Sequence, residues 1–475
     1  MKISKHPTKL YASAKAVVTL FLNLPGSDRV LHVIQRLKNL SEKDVEENLE
    51  NVMREFSDRH RNIRGIFLNH FNRIKIHNKS GLSDFSVNKQ LLLGAFFTKE
   101  YSIQAAALFN PSIVPHPDQQ GLNPGEKRFI MSLRATGEGH ISSIIFRTGT
   151  VDHQGNISLD APTGYCGILQ KNYDALYHKK EIKRYSESFL GFNSIVLDKL
   201  PESFTASEAI SILKSIPDPG QSAIESIQMV EEMLDMNYEL EVSSNLPISE
   251  KVIFPSAKGE RMGMEDVRLV KFEDGGKVWY YGTYTAYDGK HIQTKLIETI
   301  DFIHFKIRTL YGSAIHDKGM ALFPEKVNGK FVMISRQGGE NINIMFSQDL
   351  YNWEQFQVLM EPQFSWELLQ LGNCGSPIKT EKGWLLLTHG VGAMRKYVIS
   401  AILLDLNNPK LIIGRMDQPF LVADEAEREG YVPNVVYTCG FMLHGGLIII
   451  PYAISDSATG FITIALDDLL KEVIH

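Results

Sequence analysis

GMALFPEKVNGKFVMISRQGGE, Gly319–Glu340, reads as a strand, a short turn and a second strand. The second strand ends in polar residues where a packed core would take apolar ones. The phrase recurs on both sides. First strands of the same kind read NPSIVPHP (Asn110–Pro117) and EDVRLVKF (Glu265–Phe272) upstream, and GNCGSPIKT (Gly372–Thr380) and PNVVYTCGFML (Pro433–Leu443) downstream. Their second strands are KRFIMSLRATGE, KVWYYGTYTAYDG, GWLLLTHGVG and GLIIIPYAISD. The turn glycines Gly276, Gly329, Gly383 and Gly446 are 53, 54 and 63 residues apart. A β-strand repeat of that length predicts a mainly β fold, a five-bladed β-propeller. The polar ends are Arg134, Glu138, Tyr287, Asp288, Arg336, His389 and Asp456. The innermost strands of a propeller run beside one axis, so these residues are expected to share one pocket.

The remaining chain sets the domain expectation. Residues 1–108 read as an N-terminal helical module and residues 109–475 as the propeller, interrupted by an insertion over about 148–264. In the module, Ser41 and Asp44 resemble a capping box. Val45, Leu49, Val52, Met53 and Phe56 follow at helical spacing, then Ile63, Ile66, Phe67, His70, Phe71 and Ile74. Gln90–Leu108 reads as a third helix. In the insertion, Ala206–Ser215 and Gly220–Met236 read as helices separated by a Pro-Asp-Pro-Gly turn. The late strand within Phe461–Leu466 is expected to close the ring by completing the first blade.

Composition narrows the function. A chain of 475 residues with 43% hydrophobic and 22% charged residues can bury a large core. A net charge of −5 offers no basic field for nucleic acid. Cys166, Cys374 and Cys439 are far apart and odd in number, which suits a reducing compartment and no disulfide framework. The run Ala16–Leu24 is short and lacks a cleavage site, and nothing approaches the roughly 20 apolar residues of a membrane span. A cytoplasmic location without membrane attachment is expected. The apolar excess of the helical module tips the expectation toward a homo-oligomer.

The strongest local signal is GMEDVRL, Gly263–Leu269. On a strand, Asp266 and Arg268 share one face and Glu265 the other. YTAYDG, Tyr284–Gly289, adds aromatic faces beside a carboxylate, a combination that suits a sugar ring. A cationic set, Lys318, Arg336, His389 and Arg395 with Tyr397, suits a small dianion such as phosphate. No nucleotide-binding, zinc-protease or serine-hydrolase motif occurs. His316 and Asp317 read as an exposed turn, and no metal is expected.

These phrases, with KGMALFPEK, GNCGSPIKTEKGWLLLTHGV, RKYVISAILLDLNNPKLIIGR and GYVPNVVYTCG, resemble glycoside hydrolase family 130, the β-mannoside phosphorylases and β-mannosidases. The length and insertion are similar to the β-1,2-oligomannan phosphorylase type. The resemblance implies a five-bladed propeller and inverting phosphorolysis of β-mannosides to α-mannose 1-phosphate. It makes Asp266 the general acid, and Lys318, Arg336, His389, Arg395 and Tyr397 the phosphate site. It extends sugar contacts to Asn110, Arg134, Glu138, Arg268, Tyr287, Asp288, Glu325, Asn373, Asn434 and Asp456. The partners implied are a mannose-containing oligosaccharide and inorganic phosphate as co-substrate, with no cofactor. Val267 replaces the Pro of many relatives, and GNCGSPI replaces a Gly-Pro-Pro phrase. Two alternatives stay open. One is an inverting β-mannosidase using water and a base such as Glu325, Glu340 or Asp456. The other is a non-catalytic carbohydrate-binding propeller.

Overall fold

A computed structural model describes residues 1–77, 82–187, 189, 191–242 and 245–474. The protein is mainly β, and its strands follow the repeated phrase. Three of the repeats share one turn. Gly275–Gly276, Asn328–Gly329 and Gly445–Gly446 are two-residue connections between the paired residues Asp274 and Lys277, Val327 and Lys330, and His444 and Leu447. All six turn residues have positive φ, from 52° to 77°. This is the hairpin turn whose twist matches the flanking strands, and it fixes their register.

The strands form successive antiparallel meanders. Ala107–Pro115, Lys127–Thr136, Ser142–Val151 and Ile157–Leu159 are the first. Gly263–Asp274, Lys277–Tyr287, Ile292–Thr299 and Lys306–Thr309 are the second. Gly263 pairs with Ser142, and the two runs are joined in one 11-stranded sheet. Ala321–Leu322 to Phe356–Met360 make a 4-stranded sheet, and two 6-stranded sheets follow. Central strands such as Trp384–Val391 are buried along their whole length, because neighbouring sheets cover both faces. One cavity of about 260 Å³ takes a wall from each of the five first-strand stretches, at Val114, Leu269, Pro324, Ile378 and Met442.

Three details differ from the sequence expectation. The last strand, Ala458–Ala465, does not complete the first meander. It pairs with Leu447–Ile454 and with the N-terminal strands Ile3–Lys5 and Leu10–Tyr11. The helix expected over Gln90–Leu108 spans Val87–Phe96. It gives way to a strand, Thr98–Ser102, paired with Val17–Phe21. A β-branched residue and the Tyr101 ring favour the strand there. Phe67 and Phe71 are buried as expected, whereas Phe56 is only half-buried.

The helices Ser27–Lys38, Glu42–Phe56, Ile63–His77 and Val87–Phe96 enclose Ile34, Val45, Phe71 and Leu93. Ser41 accepts from the Asp44 amide at 3.1 Å. A side chain at Gly94 would lie 1.9 Å from the Phe67 carbonyl, so this helix pair packs backbone to backbone. In the insertion, helices at Ala206–Lys214 and Gln221–Met236 share a separate core around Phe204, Leu213 and Val230. Among the described residues no helix is long and apolar enough to cross a membrane.

Candidate active site

The site forms where the first strands begin. Asn110 and Asp266 occupy matching bulges, with register shifts between Phe109 and Ser112 and between Glu265 and Arg268. Both residues are in left-handed backbone, at φ 49° and 57°, as are Asp317 at 64° and Asn434 at 63°. Asn and Asp tolerate this conformation better than other non-glycine residues. A bulge re-aims its side chain away from the ladder. As a result, Asn110 Nδ2 donates to Asp266 Oδ1 at 2.7 Å.

Arg134 clamps both acids of the motif. Its Nη1 is 3.2 Å from Asp266 Oδ1, its Nη2 is 2.8 Å from Glu265 Oε1, and its Nε donates to Ser142 Oγ at 2.8 Å. Lys318 Nζ takes the other Glu265 oxygen at 2.8 Å. The buried Arg268 donates to the Asp266 carbonyl at 3.0 Å and to Tyr437 Oη at 2.6 Å. Burial alone would raise the Asp266 carboxyl. Arg134, Arg268, the Asn110 amide and Lys318 outweigh it and hold the group below the ordinary carboxylate value.

The cationic side continues from Tyr437. The His389 ring meets Tyr437 edge-on at 5.0 Å and stacks near-parallel with Tyr397 at 5.6 Å. Arg395 lies over Tyr397, 5.5 Å from its centroid. Arg336 Nη1 is 3.3 Å from His389 Nε2. Burial, then Arg336 and Arg268, push His389 well below its ordinary value, so it is neutral. Arginine can only donate, so Nε2 accepts and Nδ1 carries the hydrogen. Arg336 Nε, His389 Nδ1 and Asn373 Oδ1 are buried without a partner among the described residues. Two glycines allow this close packing. A Cβ at Gly372 would fall 2.2 Å from His389 Cε1, and one at Gly319 would fall 3.3 Å from Arg336 Cβ.

Asp456, at the end of the strand Leu447–Ile454, has φ 52°. Burial and the Asp266 charge push its carboxyl up to about 7, against Arg134 and Arg395. The two aspartates therefore have opposite proton preferences.

Not every expected residue joins this group. Asn434 lies at its rim, where its carbonyl accepts from the Tyr397 amide at 3.1 Å and its side chain accepts from Arg428. Glu138 accepts from the Ser102 amide at 3.0 Å. Tyr287 donates to the Gly289 carbonyl, and Asp288 is held to about 2 by the His291 and Lys290 amides of its own turn. Glu325 pairs with Lys379 at 2.6 Å beside the central cavity, on the far side of the short strand Ala321–Leu322 from Lys318. Glu340 is exposed, and His316 contacts Asp317 at 3.1 Å. Sequence reading missed Tyr437, which joins the acidic and cationic halves. Its one signal was that it is the single tyrosine in the five first-strand phrases.

The profile described as beta-1,4-mannooligosaccharide phosphorylase, glycoside hydrolase family 130, matches residues 226–474. A 1,2-beta-oligomannan phosphorylase of Thermoanaerobacter sp. (strain X514) is 34% identical over 230 residues, 47% of this chain and 75% of that one. A beta-1,2-mannobiose phosphorylase of Listeria innocua is 29% identical over 232 residues, covering 47% and 62%. The solved structure of a beta-1,2-mannobiose phosphorylase from Listeria innocua, in complex with beta-1,2-mannobiose, aligns with 19% identity and a TM-score of 0.47 over 78% of this chain and 92% of that one.

Proposed function

The chain belongs to glycoside hydrolase family 130, and from that membership we propose that it is an inverting β-mannoside phosphorylase acting on β-1,2-linked mannooligosaccharides. One observation carries the reading. Asp266, its carboxylate oriented by Asn110 and Arg134, is linked from its backbone carbonyl through Arg268, Tyr437 and His389 to the Arg336 guanidinium, with Lys318 held by the adjacent Glu265 on the other flank. A phosphorolytic site needs this pairing of one acid with a cationic pocket.

In this reading, phosphate binds among Lys318, Arg336 and the Nδ1–H of His389. Arg395 and Tyr397 form the outer wall. A phosphate oxygen attacks the anomeric carbon as its bond to the glycosidic oxygen breaks. Asp266 supplies the proton to the leaving oxygen, directly or through a mannose hydroxyl, and the product is α-mannose 1-phosphate. The cations offset charge as it develops. Phosphate is already anionic, so no general base is required. Asp266 is ionised in the free site, and Asp456 is the neighbour that retains a proton near neutral pH. An arriving dianion raises the proton affinity of both acids, and the covering sugar removes water from them. Both effects favour the protonated acid at the moment of bond cleavage.

Asp456 is also the observation that favours the hydrolytic alternative, because it is a second carboxyl beside the first. Incubating the protein with β-1,2-mannobiose, with and without inorganic phosphate, separates the two. Mannose 1-phosphate formed only with phosphate supports the phosphorylase. Free mannose released at equal rate without phosphate supports the hydrolase.

The same reading takes the meanders as five blades around one axis. The cavity walled by all five first-strand stretches supports this. The helices within residues 27–96 supply the helical module, whereas Ile3–Lys5 and Leu10–Tyr11 join the last blade. Of the insertion, Ile157–Leu159 extends the first blade and the helices within residues 179–236 lie outside the ring. Support for the β-1,2 linkage comes from the two relatives named for that linkage.

A further inference from the structure

A second cavity, of about 240 Å³, lies between the helices Lys179–Ser186 and Gln221–Met236 and the strand Lys306–Thr309. It shares no residue with the Asp266 group. Four tyrosines line it: Tyr177, Tyr185, Tyr311 and Tyr351. The rings of Tyr185 and Tyr311 meet at 81° with centroids 5.2 Å apart, so they form an aromatic corner. The volume corresponds to roughly eight waters at about 30 Å³ each, which suits one pyranose ring.

Charge selects the ligand class. Arg184 is 3.4 Å from Asp349, and Arg308 is 3.4 Å from Glu239, so these cations are already offset. Glu298, buried and hydrogen-bonded to Tyr351, supplies no cation. Lys180 repels a cation. The side chains of Lys180 and Glu181 line the cavity and make no hydrogen bond or ion pair with another described residue. The buried Tyr311 hydroxyl is also without a partner among the described residues. One free donor and one free acceptor beside aromatic faces fit a neutral polyhydroxylated ring. Its C–H face packs on tyrosine, and its hydroxyls bridge Lys180 and Glu181.

We propose that this cavity is an accessory sugar site that holds one unit of a mannooligosaccharide away from the catalytic group. The choice of sugar rests on the phosphorylase reading above. An accessory site raises the local concentration of bound chains without altering the chemical step. Glu181 and Tyr185 should therefore affect binding and leave turnover of mannobiose unchanged.

The test is titration calorimetry with a longer β-1,2-mannooligosaccharide on the Asp266→Asn protein, which blocks turnover. Two sites per chain are expected. Adding Glu181→Ala should remove one of them or weaken it at least about ten-fold, the loss expected for a charged hydrogen bond. Tyr185→Ala should do the same, and Glu181→Ala guards against a folding defect in the tyrosine variant. A single site of equal affinity in all three proteins would overturn the proposal, as would inorganic phosphate displacing the sugar from the second site. Failure of the phosphorylase reading has a different signature: the wild-type protein would form no mannose 1-phosphate from mannobiose.

Discussion

Asn110 and Asp266 are 156 residues apart, yet they occupy matching left-handed bulges and meet at 2.7 Å. The repeat thus places an amide from one meander on the carboxylate of the next. The amide can only donate through nitrogen, so it fixes the other Asp266 oxygen toward the site. It also favours the ionised acid, in concert with Arg134.

Asn110→Gly separates this contact from the backbone that supports it. Glycine accepts the left-handed conformation without a side chain. The variant should keep its thermal midpoint within a few degrees and lose about ten-fold or more in kcat/KM, the loss expected for a charge-assisted hydrogen bond. Phosphate KM should change little. An unchanged kcat/KM would show that Asp266 needs no orientation by Asn110.

Arg336→Ala tests the cationic half. Phosphate KM should rise by roughly ten- to a hundred-fold, as for loss of a charged hydrogen bond. Synthesis from α-mannose 1-phosphate should fall in parallel, because the same anion site serves both directions. Mannooligosaccharide binding should be nearly unaltered. Initial rates over a phosphate series, in both directions, check this.

Gly372→Ala should be costly although it adds one methyl group. The new Cβ would lie 2.2 Å from His389 Cε1, so the ring must leave its place between Tyr397 and Tyr437. Overpacking of this kind costs about 1–3 kcal/mol. The expected result is a lower midpoint in thermal unfolding together with a raised phosphate KM. A normal phosphate KM would remove His389 from the anion site.

Asp456 gives a pH signature. Its folded value of about 7 lies above the ordinary 3.8. Between those values the unfolded chain has released a proton that the folded chain still holds. Stability contributed at this position is therefore complete below about pH 4, falls as pH rises toward 7, and is level above that. Asp456→Asn removes the proton exchange. The midpoint of the variant relative to wild type should rise steadily across this window. Calorimetry at a series of pH values reads the difference, and a pH-independent gap would contradict the buried, proton-holding Asp456.

Local rules made much of the fold legible. Two-residue Gly-Gly and Asn-Gly turns specify hairpins wherever they occur, so the strand pairs could be read from neighbouring residues alone. The motif around Asp266 and the cations Lys318, Arg336 and His389 could be proposed together because Asp266 and Lys318 stand at the start of first strands and Arg336 and His389 at the end of second strands, which antiparallel pairing puts at one end. The end of a strand that a residue occupies was harder to judge. Glu325 follows Lys318 by seven positions with the strand Ala321–Leu322 between them, and it pairs with Lys379 at the cavity end. Asp288 and Glu138 carry the right chemistry but are taken up by nearby backbone amides.

Helix ends and proton positions depended on more distant partners. The segment after Phe96 became a strand because Val17–Phe21 offered it an edge. The N-terminal strands completed the last sheet in place of the expected closure with the first, because Ala458–Ala465 had an open edge beside them. Asp266 and Asp456 are the same residue type, and no sequence rule ranks their affinity for a proton. Only folding brings two arginines, a lysine and an amide to one and leaves the other buried beside a negative charge. The sequence by itself determined the hairpins of the repeats and supplied the side chains from which the proposed site is drawn. Tertiary structure decided which of them meet and where the proton rests, because burial and Coulomb energies depend on distances the chain order does not encode.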